Sequence, residues 1–140
     1  MRLRRARGLS HDALGERINR PRPNIIKWEQ GETTPSPEKL VVLARALGVD
    51  PWRLTKTRPA NAELADLRDW AGMTRRDLAE ASGLTREAYS LLERGRAPLN
   101  EEVAAALAGA LGREVEEVQR SYRRTVRRVR AEASPPPASG

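Results

Sequence analysis

The sequence predicts an all-α protein made of two tandem copies of one five-helix unit, the second copy extended by a long C-terminal helix. Three observations carry this expectation. Displaced by 64 residues, the chain matches itself without a gap from Leu3 to Leu54, through pairs such as Leu3/Leu67, Arg4/Arg68, Gly8/Gly72, Leu14/Leu78, Arg22/Arg86, Glu29/Glu93, Gly31/Gly95 and Leu43/Leu107. The matches fall at helix caps and apolar positions, which a shared alanine- and arginine-rich composition would not arrange. No segment alternates apolar and polar residues as a half-buried strand does.

Taken in order, the first helix of each unit ends at Gly8 or Gly72, residues able to take the left-handed conformation that closes a helix. Ser10 and Thr74 cap the second helix by accepting from its unpaired amides, and Thr74 with Asp77 makes a capping box. Asn19 and Gly83 end that helix, and a tight turn leads to a third, closed by Gly31 and Gly95. The third helices differ. Arg20-Pro21-Arg22-Pro23-Asn24 holds two prolines where the second copy has Leu84-Thr85-Arg86-Glu87-Ala88. Proline is tolerated only in a helix's first turn, so the first of these helices starts near Pro21. Ser36 and Asn100 cap the fourth helix, whose apolar stripe in the first copy is Leu40, Leu43, Ala44 and Leu47. Asp50-Pro51 opens a fifth helix with a cap and a proline in its first turn. The first domain spans 1–55 and the second 62–119. Residues 56–61 link them, with Pro59 stopping one unit and Asn61 capping the next. The tail, 134–140, is Pro/Ala/Ser/Gly and is expected to be disordered.

The C-terminal helix spans 114–133. Val115, Val118, Tyr122, Val126 and Val129 recur at steps of three and four and form one apolar stripe, surrounded by Arg120, Arg123, Arg124, Arg127, Arg128 and Arg130. Three uses compete: packing onto the chain's own repeats, which is favoured; a seam for self-association or a protein partner; and a basic arm on phosphates. A membrane-surface role fits poorly, because the stripe is narrow and valine-based.

Charge is spread unevenly. Residues 1–58 carry 13 basic and 6 acidic side chains, 59–120 carry 8 and 12, and 121–140 carry 5 and 1. Basic segments of this kind suit a polyanion, through phosphate contacts and counterion release, although charge alone fits a solubilising surface equally well. Chemistry of other classes is poorly supplied. The absence of cysteine excludes disulfides and thiolate metal sites, and a single histidine builds no metal site. No cofactor is expected. No nucleophile–base–orienter set or phosphate-binding loop is present, so the chain reads as non-enzymatic. The basic start has no apolar signal-peptide core behind it, and the longest apolar run, 103–111, falls far short of the ~20 residues that span a bilayer. No membrane partner is expected, and the location expected is cytoplasmic, at the nucleoid. The arginine and alanine usage is that of a GC-rich bacterial genome.

Leu3-Arg4-Arg5-Ala6-Arg7-Gly8-Leu9-Ser10, Leu14, Ile25, Trp28-Glu29-Gln30-Gly31, Pro35-Ser36 and Leu43-Ala44-Arg45-Ala46-Leu47-Gly48-Val49 resemble the Cro/CI-type (lambda-repressor-like, XRE-type) helix-turn-helix family. The second copy matches through Leu67-Arg68, Gly72-Met73-Thr74, Leu78-Ala79, Gly83-Leu84-Thr85-Arg86, Leu92-Glu93-Arg94-Gly95 and 107–112. This resemblance, over about residues 2–118, implies two tandem lambda-repressor-like DNA-binding domains. The third helix of each lies in the major groove of double-stranded DNA, and the second crosses the backbone. Carried over position by position, the first copy offers His11, Arg22, Asn24, Lys27 and Gln30 to DNA, and the second offers Arg75, Arg86, Glu87, Ser90, Arg94 and Arg96. Of these, Arg22 and Arg86 are the leading candidates for base contact. Arg4 with Glu29, and Arg68 with Glu93, match the family's partly buried ion pair, a structural feature. Trp28, Leu92 and Trp70 belong to the core, although the first copy has only Ala6 where Trp70 stands.

The expected function is that of a transcriptional regulator, repressor-like, whose two units read adjacent major-groove segments. The competing reading is a protein-interaction module, antitoxin-like or an adaptor, in which the second unit and the C-terminal helix hold a partner.

Overall fold

The computed structural model describes residues 2–133, with side chains from Arg4 onward; Met1 and the tail expected to be disordered lie outside the described residues. Among these residues all regular structure is helical: α1 Arg2–Ala6, α2 His11–Ile18, α3 Arg22–Gln30, α4 Pro37–Leu47, α5 Leu64–Trp70, α6 Arg75–Ala81, α7 Arg86–Glu93, α8 Glu101–Leu111 and α9 Val115–Ala133. Two 3-10 turns lie at Pro51–Leu54 and Pro59–Asn61. The repeat holds to the residue: α2, α3 and α4 start at His11, Arg22 and Pro37, and α6, α7 and α8 start 64 residues later at Arg75, Arg86 and Glu101.

Local chemistry places these ends. The Ser10 hydroxyl accepts from the Ala13 amide, and the Thr74 hydroxyl accepts from Asp77, whose carboxylate accepts from the Thr74 amide in return. Asn19 closes α2 at φ 55°, a conformation its short polar side chain tolerates. Asn100 caps α8 through the Val103 amide, whereas Ser36 stands before α4 without a side-chain bond. Two expectations are corrected. The fifth element of the first copy is a single 3-10 turn and not an α-helix, because the chain crosses to the second unit straight after Leu54. Asn61 does not cap α5. Pro59 starts a turn that Asn61 completes, and the cap falls on Glu63, whose amide donates to Asp66 at 2.9 Å.

Each unit has its own core. Leu14, Ile18, Ile25, Leu43 and Leu47 fill the first, with Trp28 half-buried against them. Leu64, Leu67, Trp70, Leu78, Tyr89, Leu92, Leu107, Leu111 and Val118 fill the second. Full burial of each such side chain stabilises by about 1.5–3 kcal/mol.

The second core also takes Leu40 from α4, together with Trp52 and Leu54 from the turn that follows it. This is the junction between the units. Here α4 lies against α5, and Gly72 comes so close that a Cβ on it would sit 3.0 Å from Val41 Cγ2. Trp70 Nε1 donates to Thr55 Oγ1 at 3.3 Å, and the Thr55 hydroxyl donates to the Trp52 carbonyl at 2.7 Å. The junction explains why a tryptophan stands in the second copy where Ala6 is exposed in the first.

Helix α9 spends its apolar stripe on the second unit. Val118 is fully buried, Val115 and Tyr122 pack on the core, and Val126 and Val129 meet Gly95. The most buried face also carries two hydroxyls, Ser121 and Thr125. Thr125 accepts from the Leu64 amide at 3.2 Å, giving the start of α5 a partner from the far end of the chain, and donates to the Ser121 carbonyl. The Tyr122 hydroxyl donates to the Ala97 carbonyl, Arg124 donates to the Ala62 carbonyl, and Arg128 pairs with Glu63.

Candidate nucleic-acid interface

In each unit a sharp turn sets the second helix against the third. The Arg20 amide donates to the Gly15 carbonyl, and the Leu84 amide donates to the Ala79 carbonyl, both at 2.8 Å. The first turn is the tighter. A Cβ on Gly15 would lie 2.5 Å from the Arg20 carbonyl oxygen, whereas the second copy carries Ala79 at that position. Pro21 precedes α3 with extended backbone and no side-chain cap, close to the start that its prolines predict. Thr85 caps α7 through the Ala88 amide.

The third helices are amphipathic across their width. Ile25 and Trp28 turn inward on α3, as Tyr89 and Leu92 do on α7. The opposite faces stay open. Arg22, Lys27 and Gln30 are exposed on α3 with Asn24 half-buried, and Arg86 and Glu87 are exposed on α7 with Ser90 half-buried. Arg94 and Arg96 are exposed just beyond α7. Helix α9 lies against α7 and against the turn past it, at Gly95 and Ala97, while the residues named above keep their exposure. One residue of this face was missed by sequence reasoning: Leu91, 42% exposed, standing where the first copy has Lys27. Its spacing from Glu87 and Arg94 is that of one helix face, but an isolated leucine reads as core.

Behind each face lies the ion pair. Arg4 Nε donates to Glu29 at 2.6 Å, and Arg68 grips Glu93 with Nε and Nη2 at 2.9 and 3.0 Å. The same guanidinium groups hold the Leu9 and Met73 carbonyls, so the first helix, the following turn and the end of the third helix form one knot. His11 and Arg75, which open the second helices, turn to the same carboxylates, at 2.6 Å from Glu29 and 3.1 Å from Glu93. Burial opposes ionisation of Glu29, but Arg4 and His11 outweigh it and hold its carboxyl down at about 2. Glu93 is also lowered, with burial again opposed by Arg68. Burial and the Glu93 charge push the Tyr89 hydroxyl upward.

The two faces differ in charge. Around α6 and α7, Arg75, Arg76 and Arg86 gather with Arg68, Asp69 and Thr74 along an open groove of about 500 Å³, completed by Pro37 of α4. Where the second unit has Arg75, Arg76 and Arg86, the first has His11, Asp12 and Arg22, and its own groove lies at the α2–α3 turn, lined by Asp12, Glu16, Asn19, Arg20 and Arg22. Asp12 stands where the second unit has Arg76, and its carboxylate lies 3.8 Å from Arg22 in a solvated pair worth little energy. The unit that is acidic overall thus carries the more basic face.

Among the described residues no group of three or more histidine, aspartate or glutamate side chains is gathered to hold a metal, and no helix is long and apolar enough to cross a membrane.

Comparison with known families accounts for both units. A family described as helix-turn-helix matches residues 64–118, and a second, described as helix-turn-helix domain, matches residues 2–54. No curated protein and no solved structure matches the chain. Two matches in tandem, over helices that repeat to the residue, place the chain in the helix-turn-helix family, lambda-repressor-like in type, with two copies of the domain in succession.

Proposed function

We propose that the chain binds double-stranded DNA sequence-specifically and acts as a repressor-like transcriptional regulator, with 1–55 and 62–119 as its two reading units. The observation that carries this reading is the pair of equivalent outward faces on α3 and α7, each led by an arginine, Arg22 and Arg86, in the first turn. Each arginine has the reach to grip guanine O6 and N7, and Asn24 suits adenine; a good bidentate pair discriminates by about 1–3 kcal/mol. Leu91 offers an apolar contact for a thymine methyl, and Ser90 a hydroxyl. Glu87 suits a cytosine amino group. Lys27, Gln30, Arg94 and Arg96 serve the phosphates, as do Arg75 and Arg76 from the start of α6, fixing register without reading sequence. His11, tied to Glu29, serves chiefly to set the angle of α3.

The alternative, a partner protein held by α9, finds less support, because the stripe it would need lies on the chain's own second unit. A salt titration tests the choice. For DNA binding through several phosphates, log K falls steeply and linearly with log salt. A flat response on any duplex would contradict the proposal.

A further inference from the structure

We infer that the two reading helices meet DNA head to tail, so that the chain reads two elements repeated in the same direction and not a palindrome. The inference rests on the DNA-binding reading above and adds the polarity of the site.

The junction supplies the first argument. Two copies related by a two-fold axis touch through the same patch on each, residue i meeting j and j meeting i. Here the first unit contributes Pro37, Leu40, Val41 and Trp52, and the second contributes Trp70 and Gly72. Their counterparts at 64 residues' distance take no part. Glu101, Ala105 and Glu116 are exposed, as is Ala6, and a Cβ on Gly8 would meet nothing within 4 Å; Ala104, the counterpart of Leu40, is buried, on a helix that packs on α6 and α9 of its own unit. The contact is heterologous: the tail of one unit sits on the head of the next.

The direction of the reading helices supplies the second. Helix α3 runs from Arg22 to Gln30, and the loop 31–36 leads to Pro37. Pro37 lines the same groove as Arg75, Arg76 and Arg86, at the starts of α6 and α7. Helix α7 starts there, at Arg86, and ends at Glu93. The finishing end of the first reading helix therefore leads to the opening end of the second. In a two-fold dimer on a palindrome, finishing ends face finishing ends, or openings face openings.

The same asymmetry limits the assembly to two units. A heterologous contact that does not close invites a third copy. The free head carries Ala6 in place of Trp70, and the free tail carries Glu101 and Glu116 in place of Pro37 and Trp52, so neither end repeats the junction's apolar fit.

The chain contains no cysteine, so single cysteines label it uniquely. Glu16→Cys, Thr34→Cys, Glu80→Cys and Pro98→Cys mark both ends of each reading unit at exposed positions outside the proposed contacts. Each full-length variant, bearing an iron chelate that generates hydroxyl radicals, is bound to a duplex selected from a random pool. The centres of cleavage are then ordered along the DNA. The inference expects the order 16, 34, 80, 98. The order 16, 34, 98, 80, or its mirror 34, 16, 80, 98, overturns it while leaving DNA binding intact. If the unmodified chain enriches no sequence from the pool, the DNA-binding reading falls and this inference with it.

Discussion

Arg68 holds Glu93 through two parallel hydrogen bonds, Nε to Oε2 at 2.9 Å and Nη2 to Oε1 at 3.0 Å, which pin α5, the first helix of the second unit, to the last turn of α7. Both partners are buried, so removing one leaves the other's charge with only a more exposed neighbour, Arg75 for Glu93 or Asp69 for Arg68. Arg68→Ala is expected to cost about 3–5 kcal/mol. Replacing the pair together, as Arg68→Met with Glu93→Leu, is expected to recover much of that loss. Urea unfolding at neutral pH checks both; a loss below about 1 kcal/mol in the single variant would mean the pair is solvated.

The first unit predicts an acid response. The Glu29 carboxyl is held at about 2 against an ordinary value of 4.5. A carboxyl lowered on folding favours the folded state while it is ionised, so its contribution is complete above pH 4.5 and fades as pH falls toward 2. Stability measured across that window is expected to decline with acidity, and Glu29→Gln to flatten the decline at the expense of stability at neutral pH. Parallel slopes for the two proteins would count against the knot.

At the junction, Gly72 and Gly8 form a natural control pair. Both have positive φ, 74° and 68°, so alanine strains the backbone at either by roughly 1 kcal/mol. Only at Gly72 does the added methyl meet a neighbour, Val41. Gly72→Ala is therefore expected to destabilise by about 1–3 kcal/mol more than Gly8→Ala, since the close-packed junction must shift to accept it. Equal losses by thermal unfolding would show that the junction yields freely.

The two hydroxyls buried under α9 predict opposite outcomes. Thr125→Val removes the acceptor for the Leu64 amide and is expected to cost about 1–3 kcal/mol. Ser121 has no hydrogen bond for its side-chain oxygen among the described residues. Its replacement by alanine is expected to be neutral or stabilising, because no bond is lost and no polar atom is left unpaired.

Much of the architecture was legible because its signals are local. Gly8, Gly31, Gly48, Asn19 and the capping box of Thr74 with Asp77 each act within a few residues, and the shared 64-residue spacing places them twice. The ion pairs were legible only through the resemblance, since 25 residues separate their partners. What escaped depends on contacts between distant segments. Leu40 reads as part of its own unit's stripe, yet it is buried in the next unit's core. Trp70 breaks the repeat because it answers Trp52 and Thr55 across the junction, which spacing within one unit cannot show. On α9 the valine stripe was visible, but nothing local marks Ser121 and Thr125 for burial, since the amide that Thr125 takes is that of Leu64, at the start of α5. Leu91 was hidden for the reverse cause, an apolar residue on an outer face.

Selection of bound sites from random duplex DNA, run in parallel for the unaltered chain and for Arg22→Ala and Arg86→Ala, tests the central claim most directly. If both faces read bases, the unaltered chain enriches a motif with two elements, and each substitution relaxes one element while sparing the other, by about 1–3 kcal/mol at the affected position. Enrichment of no motif, or of one that neither substitution changes, would contradict the account.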